Sequence, residues 1–166
     1  SIEIFQIYFL DENNGWAVGL VIGEEYHIEV LLTYDTISGW PEIYEFEKNI
    51  YSNKQEFIDN EIGFILGTEE LDTFIKSTIL ITLDGGYNWN ETYDLGYYRN
   101  DFTISGDGLL WAVGAGGEDK GVILKTENLG ESWVIESDTI NVILNAISVK
   151  DSLILAVGDI GLIVKT

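Results

Sequence analysis

Apolar and polar residues alternate along most of this chain in short runs, and turn-forming segments separate the runs every 8–12 residues or so, roughly the spacing of strands in all-β folds. Apolar residues spaced three and four apart, as in an amphipathic helix, are scarce, and Pro41 is the single proline. Because alternation with period two places successive side chains on opposite faces of a strand, the pattern predicts an all-β protein.

A short apolar motif that ends in glycine recurs along the chain. Gly15–Gly19 reads Gly-Trp-Ala-Val-Gly, Trp111–Gly114 repeats it, Leu155–Gly158 reads Leu-Ala-Val-Gly, and Phe64–Gly67 is a degenerate copy. The closing glycines stand at 19, 67, 114 and 158, which are steps of 48, 47 and 44 residues. A repeat of about 40–50 residues, with about four strands each, is typical of a β-propeller blade.

A second motif begins with threonine and ends with tryptophan seven positions later, at Thr82–Trp89, Thr126–Trp133 and, more loosely, Thr33–Trp40. Its acid can fold back onto backbone N–H groups, and its glycine can adopt a positive φ, so it predicts a turn between the third and fourth strands of a blade. The residues assigned to this structural role are Thr33, Asp35, Trp40, Thr82, Asp84, Gly86, Trp89, Thr126, Asn128, Gly130 and Trp133.

Together the repeats predict one β-propeller domain over residues 1–166, with about four four-stranded antiparallel blades. The predicted blades cover about 7–46, 47–95, 96–137 and 138–166 plus 1–6. The last repeat reaches Thr166, where the turn motif begins in other repeats, so segment 1–6 is expected to supply its fourth strand and close the ring. The alternative is a partial propeller that pairs with a second copy, so the chain is predicted to be a monomer or a homodimer.

The charge balance limits the classes of partner. The formal net charge is −21, from 29 acidic and 8 basic residues, and such a field repels phosphate backbones and anionic lipid surfaces. Nucleic-acid binding and membrane insertion are therefore not predicted. The chain has no cysteine, and its one histidine, His27, cannot form a multi-histidine metal site alone.

The repeats resemble a known family at Gly15–Gly19, Thr82–Trp89, Trp111–Gly114, Leu124–Trp133 and Leu155–Thr166. They are similar to the photosystem II stability/assembly factor propellers and to the wider set of bacterial BNR repeat proteins, in which the turn motif is called an Asp-box. The resemblance implies a scaffold role and an exported protein, periplasmic or extracellular. Family members are usually larger, and the photosynthetic ones carry an arginine-rich partner patch that this chain lacks.

Other propellers with Asp-boxes are enzymes, notably sialidases, which need three arginines around the substrate carboxylate. Arg99 is the single arginine here, so that constellation is excluded. No catalytic residues and no cofactor are predicted. The leading hypothesis is a non-catalytic scaffold that binds a protein partner, and the alternative is a secreted carbohydrate-binding or glycoside-hydrolase-like propeller, which needs two acids across a cleft.

The binding surface is expected on the face formed by the loops between second and third strands and by the connections between blades. Of the four loops between second and third strands, one in each predicted blade, three have acidic tips. These tips favour a basic partner or Ca²⁺, and the alternative is a surface that is acidic only for solubility. No loop has the spacing of a calcium-binding loop, so no metal ligands are assigned. The predicted partner-binding residues are Tyr26, His27, Glu70, Tyr97, Tyr98, Arg99, Glu118 and Asp119.

Overall fold

Antiparallel β-sheets account for almost all the regular structure in the computed structural model of this chain. The model describes residues 2–22, 27–35, 37, 39–45, 50–70, 75–92, 98–106, 108–116 and 120–165, without the side chains of 2, 22, 27–32, 35, 41–45, 70 and 75. Within those ranges there is no α-helix. None of the described residues belongs to a helix long and apolar enough to cross a membrane.

The first two sheets each contain four strands that are neighbours in chain order. The first consists of β1 (Ile2–Phe9), β2 (Gly15–Ile22), β3 (His27–Asp35) and β4 (Gly39–Glu45). The second consists of β5 (Ile50–Phe57), β6 (Gly63–Glu70), β7 (Ile75–Thr82) and β8 (Asn90–Glu91).

The third sheet also has four strands, whereas the described part of the fourth sheet has three. The third consists of β9 (Tyr98–Ile104), β10 (Leu110–Ala115), β11 (Gly121–Thr126) and β12 (Val134–Ile140). The fourth consists of β13 (Leu144–Lys150), β14 (Leu153–Gly158) and β15 (Ile163–Lys165), with a short 3₁₀ turn at Asp159–Gly161 between the last two strands.

The chain forms two compact units. One contains Ser1–Lys76 with Leu80–Asn90, and the other contains Ser77–Ile79 with Glu91–Thr166, so the division passes through β7. The four sheets begin and end close to the predicted repeat boundaries. The all-β class and the repeated antiparallel sheets are as predicted and are compatible with a β-propeller.

The core of the first unit is built around one aromatic stack. The rings of Trp16, in β2, and Phe57, at the end of β5, lie parallel with centroids 3.5 Å apart. Val18, Ile65 and Leu80 pack in the same cluster. Full burial of side chains of this size contributes roughly 1.5–3 kcal/mol each, so this cluster is a main source of stability for the unit.

The core of the second unit joins the third sheet to the fourth. Trp111 and Val113 of β10 pack with Ile147 of β13 and Ala156 of β14. Two hydrogen bonds tie the same sheets together: Asn100 donates to the Leu144 carbonyl, and the Ile147 N–H donates to Asp101. The junction therefore combines an apolar interior with satisfied polar groups beside it.

The segment 1–6 does not form the separate strand that the sequence predicted. Ile2–Gln6 belong to β1 and pair with β2, through partners such as Ile4 with Gly19 and Gln6 with Val18. A bulge between Ile4 and Gln6 interrupts the alternation of faces, so that Ile4 and Ile7 lie on the same side, and the segment lengthens the first strand of the first sheet. The predicted pairing of this segment with the last sheet was therefore wrong.

Candidate functional site

The turn at Thr82–Trp89 is closed by its own side chains. The Thr82 hydroxyl donates to Asp84 Oδ1 at 2.8 Å and accepts the N–H of Gly86 at 2.8 Å. Asp84 also accepts the backbone N–H of Asn88 at 2.9 Å and its side-chain amide at 2.7 Å. The hydrogen bond from the Asn88 amide is the main reason that the pKa of Asp84 is lowered. These groups stabilise the turn, and Gly86 takes the positive φ, 105°, that the sequence required.

The turn at Thr126–Trp133 uses the same geometry with a neutral side chain. The Thr126 hydroxyl donates to Asn128 Oδ1 at 2.9 Å and accepts the N–H of Gly130 at 3.1 Å. Asn128 Oδ1 accepts the N–H of Ser132 at 3.0 Å. Since an amide oxygen replaces the carboxylate, this turn does not require a negative charge.

The first copy of the motif, at Thr33–Trp40, forms a different turn. β3 continues through Thr33, and Asp35 pairs with Gly39, so only residues 36–38 separate the two strands. A connection this short cannot form the longer turn at Thr82 or Thr126. The segment does join the third and fourth strands as predicted, but Trp40 is exposed and does not anchor a core. The side chain of Asp35 lies outside the described residues.

Tryptophans that are buried or partly buried differ in how their indole N–H groups are satisfied. Trp16 donates to the Gly85 carbonyl at 2.9 Å, and Trp89 donates to the Gly86 carbonyl at 3.0 Å. The indole N–H groups of Trp111 and Trp133 have no acceptor among the described residues. The turn after β7 thus supplies both acceptors in the first unit.

Arg99 is not the exposed loop residue that the sequence predicted. Strand β9 begins at Tyr98, and Arg99 turns inward, with 2% of its surface exposed. Its guanidinium donates to the Ser77 carbonyl at 3.3 Å and lies over the Trp133 ring at 5.9 Å. The assignment of Arg99 to a partner-binding surface was therefore wrong, because strand alternation places it in the interior. Tyr98 next to it is exposed.

Most of the predicted partner-binding residues lie outside the described residues. Tyr26, Tyr97, Glu118 and Asp119 are among the residues not described, and so are the side chains of His27 and Glu70. The backbone places His27 at the start of β3 and Glu70 at the end of β6. Across the described ranges, no three acidic or histidine side chains come together in a way that could hold a metal ion.

An exposed aromatic cluster lies on the first sheet, where sequence reasoning had placed no site. The Phe9 ring meets Tyr34 edge-on at 5.4 Å, and Trp40 lies 5.1 Å from Tyr34 and 6.1 Å from Phe9. Phe9 is 51% exposed and Trp40 37% exposed. The cross-strand register explains the cluster, because Phe9 and Tyr34 both pair with Gly15, over which the Phe9 ring lies.

The aromatic cluster continues along β1 as an apolar surface. Ile4 and Ile7 share its side of the sheet, since their partners Gly19 and Ala17 alternate with the inward-facing Trp16 and Val18. Both isoleucines are exposed. We call this surface the first-sheet face; it consists of Ile4, Ile7, Phe9, Tyr34 and Trp40.

The first-sheet face has the chemistry of a contact surface. Its five side chains carry no formal charge, and exposed apolar groups that lie together on a sheet favour burial against a partner. The nearest turn, between β1 and β2, is closed by Asp11, whose pKa is lowered mainly by the hydrogen bond from the Asn14 amide. The sequence carries no clear signal for this surface, because Ile7 and Phe9 belong to the run Ile7–Leu10, in which the residues of both faces are apolar.

Comparison with known proteins gives information on the fold alone. No family model matches the chain, and no curated protein does. The fold has a designed counterpart. The crystal structure of the computationally designed Ika4 protein has a TM-score of 0.56 and 11% identity, over 89% of this chain and 88% of that one. At this identity the similarity supports the all-β repeat fold and carries no functional information.

Proposed function

We propose that this chain is a non-catalytic β-propeller scaffold that binds a protein partner through the first-sheet face. The observation that carries the proposal is the joint exposure of Phe9, Trp40 and Ile7 on one side of a sheet whose other side is a buried core. Aromatic and branched apolar residues of this kind dominate binding energy at protein interfaces. The resemblance to assembly-factor propellers is in keeping with a scaffold role.

The arrangement of the rings favours a protein over a sugar. Neighbouring rings of the cluster are inclined to each other by 77°, 59° and 56°, so they do not form a flat stacking platform. Apolar side chains of a protein need no such platform and can pack on inclined rings. The carboxyl groups of Asp11 and Asp84, whose pKa values are lowered, accept hydrogen bonds inside turns and do not have the raised pKa of a general acid.

The partial propeller that pairs with a second copy and an exported location remain part of this proposal. The loop face that contains Tyr26, Tyr97 and Glu118 also stays a prediction as a second contact surface. Its residues would add polar recognition to the apolar contact, as the rim of an interface does.

Affinity capture with matched variants tests the proposed function. The full chain, the variant Phe9→Ser with Trp40→Ser, and the control Tyr51→Ser would each be immobilised, and captured proteins would be quantified by mass spectrometry. Tyr51 is as exposed as Phe9 but lies on β5. We expect the same proteins with the unaltered chain and the control, and their loss with the double variant. A captured set that the double variant retains would contradict the proposal.

A further inference from the structure

The fourth sheet has an exposed apolar side that matches the first-sheet face. Leu155, Val157 and Ile163 are 39%, 41% and 67% exposed. The other side of the same sheet, which includes Ile147 and Ala156, is buried against the third sheet. Alternation along β14 and the pairing of Val157 with Ile163 place the three exposed residues together. We call this surface the fourth-sheet face.

The repeat shows what this surface packs against elsewhere in the chain. Leu155 and Val157 hold the positions in Leu-Ala-Val-Gly that Trp111 and Val113 hold in Trp-Ala-Val-Gly. Ile163 pairs with Val157 just as Ile123 pairs with Val113. In the third sheet these three positions are buried against the fourth sheet. The fourth-sheet face is therefore one half of a sheet-to-sheet junction.

The first-sheet face is the other half of the same junction. Ile7 and Ile147 hold matching positions in the repeat, because Ile7 pairs with Ala17 and Ile147 pairs with Ala156. Phe9, two residues after Ile7, then matches Val149, two residues after Ile147. Ile147 and Val149 are the residues with which the fourth sheet packs on the third. The same position in the second sheet is Phe57, which stacks on Trp16. Phe9 thus occupies a position that elsewhere in the repeat is covered by a preceding sheet.

We propose that the fourth-sheet face of one copy of this chain packs on the first-sheet face of a second copy. The inference rests on the proposed function of the first-sheet face and names its partner. It follows from two observations: each face is exposed in its own unit, and the two faces have the residue positions of a junction that the chain already forms between its third and fourth sheets. Two such contacts, related by a two-fold axis, give a closed dimer in which each copy contributes both faces.

Sedimentation equilibrium of the full chain tests this pairing. We expect a dimer at micromolar concentration, and Ile7→Lys or Val157→Lys to weaken the association by about tenfold or more, since each places a charge in a contact. Val134→Lys is the matched control, because Val134 in β12 is 59% exposed, the same as Ile7. Circular dichroism verifies that each variant is folded.

Mixing the two variants distinguishes this pairing from others. The Ile7→Lys chain keeps an intact fourth-sheet face, and the Val157→Lys chain keeps an intact first-sheet face. At the concentration where the unaltered chain is a dimer, each variant alone should be mainly monomeric, and the mixture should form a one-to-one dimer through one intact contact. A monomeric unaltered chain, as in a ring closed by one copy, would overturn the inference, and so would a variant that dimerises alone or a mixture that stays monomeric.

The outcome separates this inference from the proposed function. If the unaltered chain is monomeric but loses captured proteins when Phe9 and Trp40 are replaced, the second copy is not the partner and the binding role stands. If it is monomeric and capture is unaffected by those replacements, both proposals fail.

Discussion

Replacing Trp16 and Trp111 in turn by phenylalanine isolates the contribution of one buried hydrogen bond. The two residues occupy the same position in the repeat, and each is buried in the core of its own unit. Trp16 donates its indole N–H to the Gly85 carbonyl at 2.9 Å, whereas the indole N–H of Trp111 has no acceptor among the described residues. Both replacements remove the same ring volume, so that cost largely cancels in the comparison.

The expected difference in unfolding free energy between the two variants follows from the polar groups that each replacement removes or leaves unpaired. Trp16→Phe leaves the buried Gly85 carbonyl without its donor, which costs about 1–3 kcal/mol in addition to the lost volume. Trp111→Phe removes an unsatisfied donor and loses the contact with the Lys125 ammonium, which lies 5.5 Å from the ring centroid. That contact contributes about 0.5–1 kcal/mol, and its loss partly offsets the stability gained by removing the donor. We therefore expect Trp16→Phe to be the more destabilising change by about 1–3 kcal/mol.

Urea unfolding followed by far-ultraviolet circular dichroism measures the difference, because that signal reports mainly on the backbone of the strands and gives each variant its own folded and unfolded baselines. The two variants and the unaltered chain would be compared at one protein concentration, since association shifts apparent stability. Equal loss of stability in the two variants would refute the reasoning, because it would mean that the Trp16 hydrogen bond contributes nothing beyond packing.

Three further predictions follow from the turns, the strands and the charge. Because the pKa of Asp84 is lowered in the folded chain, the ionised carboxylate stabilises the folded state above the unfolded pKa, and this stabilisation is lost as the pH falls below about 4. Asp84→Asn should keep the turn, as Asn128 does, and remove this part of the pH dependence of the melting temperature. Gly63→Ala should cost about 1–3 kcal/mol in urea unfolding, because the added Cβ would overlap with the buried Phe57 ring. Gly15→Ala should cost less, because the exposed Phe9 ring can move aside. Since each copy has a net charge of −21, added sodium chloride should tighten the dimer in sedimentation experiments; weaker association at high salt would contradict an apolar contact between acidic copies.

The sequence was most informative where backbone chemistry is local. Thr82, Asp84 and Gly86 have side chains and φ angles that only a particular turn uses, so their roles could be inferred from spacing. Alternation likewise predicted the strands, and the recurring motif that ends in glycine predicted the repeat. The copy at Thr33–Trp40 shows the limit: its spacing is the same, but cross-strand pairing to Asp35 makes the turn shorter.

The candidate site depended on information that a single strand does not contain. Alternation places Ile7 and Phe9 on one side of β1, but it does not say whether another sheet covers that side. Arg99 shows the same limit in the opposite direction, since the start of β9 at Tyr98 decides that its side chain is interior. Both outcomes depend on where strands begin and on which sheet packs against which.

Methyl cross-saturation between two differently labelled copies tests the central claim most directly. A deuterated copy with protonated isoleucine and valine methyl groups would be mixed with an unlabelled copy, and saturation of the unlabelled copy would mark the contact. We predict transfer to Ile7 on the first-sheet face and to Val157 and Ile163 on the fourth-sheet face, with none to Val134. Transfer that bypasses these three residues, or no transfer at all, would contradict the account.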